Sequence, residues 1–325
     1  MAILYGIPNQ PLFDGKREDA LIAHTFVKEI ETGDDTWPLL FPMAKSAIRA
    51  MDVLQAFSKS DLKAEITGFV VSGASKRGWT TWLTAAADPV RVKGIVPMVY
   101  DNLNLPVQMP HQIRTWGRYS EMIDDYTQHG LQDRLKTPEG KHLGEIVDPW
   151  TYRDRITMPK LIVNGTNDPY WTQDALNLYW DDIKSPKYVL YVPNAGHGLK
   201  DMGRVIASSS AFTRAIASGS ELPKLTWKYT TREGAQRLKV TVNPAAAKAN
   251  LWMAQSDTKD FRKATWESIP MNVTKAGHRL LIPFPEKGYK AVFAEVTLTM
   301  GGRECNLSTQ IQILDSKGPL LPDKN

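Results

Sequence analysis

Three residues whose types could together open a carbonyl occur in the order Ser75, Asp168, His197. A serine hydroxyl is a weak nucleophile until an imidazole takes its proton. The imidazolium that forms needs a carboxylate to hold its tautomer and stabilise its charge. Each of the three follows an apolar, β-rich run: Ile66 to Val71 before Ser75, Lys160 to Gly165 before Asp168, and Tyr188 to Val192 before His197. Loops at the carboxyl ends of parallel strands open on one edge of a sheet, so residues far apart in sequence are expected to converge there. Asp101, at the end of the run Gly94 to Tyr100, is a rival acid on the same edge. Asp174 is less favoured, because it falls inside the helix expected after Asp168.

The turn around Ser75 reads Gly73-Ala-Ser-Lys-Arg-Gly78, one residue longer than the usual G-x-S-x-G nucleophile turn. Gly73 and Ala74 relieve crowding, and Gly78 lets the following helix approach its strand. The Lys76 amide, at that helix N-terminus, would face an oxyanion, with Gly6 and Ile7 in the loop to Gln10 as source of a second donor. Each feature also has a plain reading: a serine N-cap, an aspartate turn former, a Gly-His-Gly loop and a Pro-rich turn. Asp101, Asn102, Trp116, Tyr170 and Trp171 are candidate pocket residues. Trp79 and Trp82 follow the turn on a helix and suit a core as well as a pocket. His24 sits on an apolar stripe and reads as a core or boundary residue, whereas His111, His129 and His142 read as surface residues.

The elements that must position these groups alternate strand and helix up to about residue 220. A short strand is expected at Ala2–Ile7, then helices over Lys16–Glu31 and Trp37–Ser58 with apolar residues at 3.6-type spacing. Helices are expected after Ser75, over Thr172–Ile183 and over Met202–Ser218. Alternation of this kind predicts an α/β fold with a mostly parallel sheet flanked by helices. Residues 105–150, polar and aromatic with helical pieces such as Ile113–Tyr126, read as a lid inserted between two strands. The chain starts abruptly in an apolar segment, which predicts that the first sheet strands precede it. From 221 to 325 the pattern changes to short alternating strands, a β-sandwich preceded by a catalytic unit over 1–220, with a loose tail from Gly318.

Composition narrows the function classes. The chain has 325 residues, 42% of them hydrophobic, which is ample for a core. Its formal charge of +5 is scattered without basic runs, so nucleic acid is not an expected partner. No apolar stretch is long enough to span a membrane, and no signal peptide is visible. The single Cys305 excludes an internal disulfide and any multi-cysteine metal site. No metal-binding motif, Walker loop or dinucleotide fingerprint occurs, so no metal or cofactor is expected. The residues alone favour a serine ester hydrolase. A peptidase of oligopeptidase type and a non-catalytic binding or signalling protein are the alternatives. A small-molecule or glycan-linked ester is the expected partner, and an exposed sheet edge would allow a homodimer.

Several stretches resemble the PhoPQ-activated pathogenicity-related family, a branch of the α/β-hydrolases. They are Pro8-Asn-Gln-Pro-Leu12, Trp37-Pro-Leu-Leu-Phe-Pro-Met43, Ser72-Gly-Ala-Ser-Lys-Arg-Gly-Trp-Thr-Thr-Trp82, Pro97-Met-Val-Tyr-Asp-Asn-Leu-Asn104, Asn164-Gly-Thr-Asn-Asp-Pro-Tyr-Trp171 and Pro193-Asn-Ala-Gly-His-Gly198. The likeness covers about residues 5 to 200 and accounts for the long turn at Ser75. It implies a serine-hydrolase scaffold with an appended immunoglobulin-like β domain, a longer N-terminal region, and export from the cytoplasm. The turn also resembles, more locally, that of glucuronoyl esterases.

Overall fold

A computed structural model describes residues 1–321 apart from 185, 244, 275 and 276. Helices α1 (Glu18–Thr32) and α2 (Leu40–Ser60) come first, followed by β1 (Phe69–Ala74), α3 (Lys76–Ala87) and β2 (Val92–Met98). Four helices then form the lid: α4 (Leu105–Trp116), α5 (Asp124–Thr127), α6 (Leu131–Arg134) and α7 (Pro138–Val147). The chain returns through β3 (Lys160–Gly165), β4 (Lys187–Val192) and α8 (Met202–Ser218). Strands β1 to β4 are parallel neighbours in sequence order. The near-continuous apolar runs of β3 and β4 are buried along almost their whole length, as strands covered by helices on both faces require.

The remaining strands are β5 (Lys224–Arg232), β6 (Ala235–Asn243), β7 (Lys248–Ser256), β8 (Glu267–Pro270), β9 (Asn272–Thr274), β10 (Gly277–Pro283), β11 (Tyr289–Met300), β12 (Arg303–Ser308), β13 (Gln312–Asp315) and β14 (Gly318–Leu320). They do not form a detached unit. Strand β12 pairs antiparallel with β4 at Ser308 and Val189, so one ten-stranded sheet runs from β1 through β4 into β12, β11, β13 and β14. A second sheet, β5-β6-β10-β9, packs on its antiparallel part. Leu238, Val240 and Ile282 from one sheet meet Leu251, Val292, Ala294 and Val296 from the other in a shared core. Beyond residue 220 the chain therefore adds antiparallel strands both to the parallel sheet and to a second sheet packed on it.

Four local expectations differ from the structure. Residues 2–7 form no strand: Ile3, Leu4 and Tyr5 are exposed, because no neighbouring strand pairs with this segment and the chain turns at Gly6 with φ +68°. The helix expected over Thr172–Ile183 shrinks to a 3-10 turn at Ala175–Leu178, since the polar side chains of Asp174 and half-buried Asn177 bond across the fold. The helix expected over Ile113–Tyr126 stops at Trp116, where Gly117 turns left-handed with φ +76° and accepts the C-cap role. The tail is ordered as far as Leu320, because β14 pairs with β13; residues 322–325 lie outside the described part.

Candidate active site

Ser75 joins β1 to α3 with φ 58° and ψ −126°, a backbone state that a non-glycine residue adopts only when its surroundings enforce it. The enforcing contacts are local. The Ser75 amide donates to the Met98 carbonyl at 2.9 Å, and the Ser75 carbonyl accepts from the Trp79 amide at 3.0 Å. A Cβ at Gly73 would lie 2.5 Å from the Arg77 carbonyl oxygen, and one at Gly78 would lie 2.7 Å from that of Met98. Only glycine allows the helix and strand to close so tightly. The result is a sharp turn that pushes the Ser75 hydroxyl out at the sheet edge.

The structure brings Ser75, His197 and Asp168 into one hydrogen-bonded chain. His197 Nε2 lies 2.9 Å from Ser75 Oγ, and His197 Nδ1 lies 2.8 Å from Asp168 Oδ2 and 3.1 Å from Oδ1. The Tyr170 amide donates to Asp168 Oδ1 at 2.9 Å, which fixes the carboxylate plane. The Tyr170 ring stacks on the imidazole with centroids 4.0 Å apart, covering one of its faces. The loops carrying Asp168 and His197 are laced together: the Asn167 amide donates to the Ala195 carbonyl at 2.9 Å, and the Asn194 amide to Thr166 Oγ1 at 2.9 Å.

Asparagines 167 and 194 also anchor these loops to the segment between β7 and β8. Asn167 Nδ2 donates to the carbonyls of Phe261, Arg262 and Ala264. Asn194 donates to the Trp266 carbonyl at 2.9 Å and accepts from its amide at 2.7 Å. Sequence reasoning missed both residues, although each is within three positions of a site residue. Their type suits a loop turn equally well, and their partners are about seventy to a hundred residues away in sequence.

Arg77, the extra residue of the turn, has a visible task. Its Nε donates to the Ile7 carbonyl at 2.7 Å, and its guanidinium pairs with Glu18, holding the Gly6–Ile7 loop beside the turn. The Arg77 bonds, against the opposing effect of burial, bring the Glu18 carboxyl down to about 2. Lys76 heads α3, where the first amides have no partner within the helix. Its buried ammonium meets Asp19 at 2.8 Å, and Tyr126 donates to the other oxygen of Asp19 at 2.9 Å.

A cavity opens from Ser75 under the lid. Its walls are Phe26, Trp79, Tyr100, Leu105, Leu143 and Trp171, among other mostly apolar groups, with Asn102 and Tyr170 also facing it. Trp79 stacks on Tyr100 at 4.8 Å and donates to the Val147 carbonyl at 2.7 Å, so it is both core and wall. Tyr100 Oη, Asn102 Oδ1, Gln132 Oε1 and Trp171 Nε1 are buried there without hydrogen-bond partners. Asp101 is elsewhere: it accepts from Tyr179 Oη at 2.6 Å, and burial pushes its carboxyl up to about 7. Trp116 lies outside the cavity beneath the Arg262 guanidinium, 4.1 Å from its ring centre, and Trp82 is in the core. His111, expected at the surface, is buried against Asp174 at 2.8 Å.

The family model described as PhoPQ-activated pathogenicity-related protein matches residues 1–262. The chain belongs to this family. It is also similar to the autocrine proliferation repressor protein A of Dictyostelium discoideum, 33% identical over 321 residues, covering 89% of this chain and 64% of that protein. The chain thus spans less than two-thirds of that relative. Solved structures similar to this family member include puromycin hydrolase (TM-score 0.41, 16% identity, 57% of this chain and 26% of that one). Another is acetyl xylan esterase 1 from Thermoanaerobacterium (TM-score 0.36, 18% identity, 55% of each chain).

Proposed function

We propose that this chain is a serine carboxylic-ester hydrolase. The observation that carries the reading is the unbroken Ser75–His197–Asp168 hydrogen-bond chain on a turn built to expose the serine. Ser75 Oγ attacks the ester carbonyl as its proton passes to His197 Nε2, and a C–O bond forms while the carbonyl oxygen takes the charge. The Lys76 amide, with one from the Gly6–Ile7 loop, receives that oxyanion; losing one such donor costs about a hundredfold or more in rate. Collapse returns the proton from His197 to the leaving alcohol. Water, deprotonated by His197, then attacks the acyl-Ser75 carbonyl and releases the acid. Asp168, accepting from His197 Nδ1, orients the ring and stabilises the imidazolium each time it forms.

The largely apolar walls under the lid favour esters with a ring or chain on one side of the carbonyl. Two donors, Tyr100 Oη and Trp171 Nε1, and two acceptors, Asn102 and Gln132, add places for hydroxyl or carbonyl groups on that moiety. A panel of p-nitrophenyl esters from acetyl to arylalkanoyl tests this: kcat/KM is expected to rise with apolar acyl size. A flat or falling series would remove the substrate assignment.

A second reading, a signalling protein on a hydrolase scaffold, draws on the relative named as an autocrine proliferation repressor. Fluorophosphonate labelling separates the two. The hydrolase reading expects labelling of the native chain that is lost in both Ser75→Ala and His197→Ala. An unlabelled, folded native chain favours the signalling reading.

A further inference from the structure

Away from the cavity, three potential ligands converge from three separate segments. They are Glu29 on α1, Asp35 in the turn between α1 and α2, and His142 on α7, each offering one atom within 4.8 Å of the others. His142 Nε2 stands 2.7 Å from Asp35 Oδ1, and both side chains are about half exposed. Glu29 is different. It is only 1% exposed, and its Oε2 is buried without a hydrogen-bond partner. A buried carboxylate with an unused lone pair is costly unless something positive meets it. Neither Asp35 nor His142 bonds to Glu29.

We propose that Glu29, Asp35 and His142 form a binding site for one divalent transition-metal ion of the zinc type, joining the lid helix α7 to α1. The donor set suits that class, since neutral imidazole with carboxylate oxygens is a usual zinc shell, completed by water. The two carboxylate charges balance those of the ion, and Glu29 gains the cation its free oxygen lacks. Donor atoms about 2.1 Å from a tetrahedral zinc lie about 3.4 Å apart. The present spread therefore closes by torsions of the exposed Asp35 and His142 side chains, the ion taking the place of their mutual hydrogen bond. Positions 29, 35 and 142 form no local spacing motif, so the chain read as a sequence shows no metal box.

The site has a structural consequence for the cavity. Phe26 lies one helical turn before Glu29, and Leu143 directly follows His142; both face the cavity. An ion here ties two of its walls together, independently of whether Ser75 is a nucleophile. The test uses the tag-free full chain, stripped with chelator and dialysed against Zn²⁺, Mg²⁺ or Ca²⁺. One Zn²⁺ per chain is expected, with a Zn²⁺-dependent rise in melting temperature. Both are lost in His142→Ala and Asp35→Asn, which give up one half-exposed hydrogen bond and so lower the metal-free melting temperature only slightly, and in Glu29→Gln. No saturable Zn²⁺ binding, or binding undiminished in His142→Ala and Asp35→Asn, overturns the site. Preference for Mg²⁺ or Ca²⁺ overturns the class of ion.

Discussion

Asp101 and Asp168 each follow a parallel strand, β2 and β3, at the same sheet edge, and each is 4% exposed. Asp168 is surrounded by donors: the Tyr170 amide and the His197 imidazole. Asp101 accepts from the Tyr179 hydroxyl and the Leu176 backbone, yet burial dominates and pushes its carboxyl up to about 7. Equal burial thus gives unequal chemistry. What sets Asp168 apart is that an imidazole itself reaches it, at 2.8 Å, whereas a phenol hydroxyl reaches Asp101. A carboxyl that keeps its proton near neutrality gives an imidazolium little support.

Ser75→Ala sets the scale for testing that contrast, with an expected loss of roughly 10⁶-fold in kcat on the best ester of the acyl panel. Asp168→Asn is next, at about 10⁴-fold with little change in melting temperature, because the tautomer of His197 is no longer fixed. Asn194→Ala should cost up to about 10²-fold in kcat by letting the His197 loop drift, while fluorophosphonate still labels Ser75 slowly. Asp101→Asn should change kcat by only a few-fold; a loss as large as that of Asp168→Asn would reverse the assignment of the two loops.

Asp101 has its own signature in stability. Its folded pKa of about 7 lies above the ordinary 3.8, so the folded chain keeps a proton that the unfolded chain releases between these values. Its contribution to stability is therefore greatest below pH 3.8 and falls as pH rises toward 7. Urea unfolding across that window should show this slope in the native chain and a shallower one in Asp101→Asn, since Asp148, which burial raises to about 6, keeps its own share. An unchanged slope would place the titration on another group.

Much of the site can be read from the chain because its chemistry sits at strand ends, and strand ends show as breaks in apolar runs. β3 and α8 are predicted residue for residue, and the start of α3 likewise, since each bound falls at a glycine, a proline or a polar turn. Asp168 and Asp101 cannot be separated in this way, because their partners, His197 and Tyr179, are brought in by the fold. The 3-10 turn at Ala175–Leu178 is illegible for a similar reason: Asn177 bonds to Ile311 and Gln310, long-range partners that no local pattern encodes. The irregular start at residues 2–7 looks like a strand by composition, yet a strand exists only where another strand offers it a ladder.

The anchoring of Asn167 and Asn194 by residues 261–266 has a consequence in time as well as space. During synthesis Ser75, Asp168 and His197 all leave the ribosome well before the segment that holds their loops. Strand β12, which lies beside β4, follows later still. Chains stalled after His197 but before Phe261 should carry all three chemical groups and react poorly with fluorophosphonate, whereas chains that extend through β12 react fully. The proposed hydrolysis would then begin only once residues 261–266 have joined the fold.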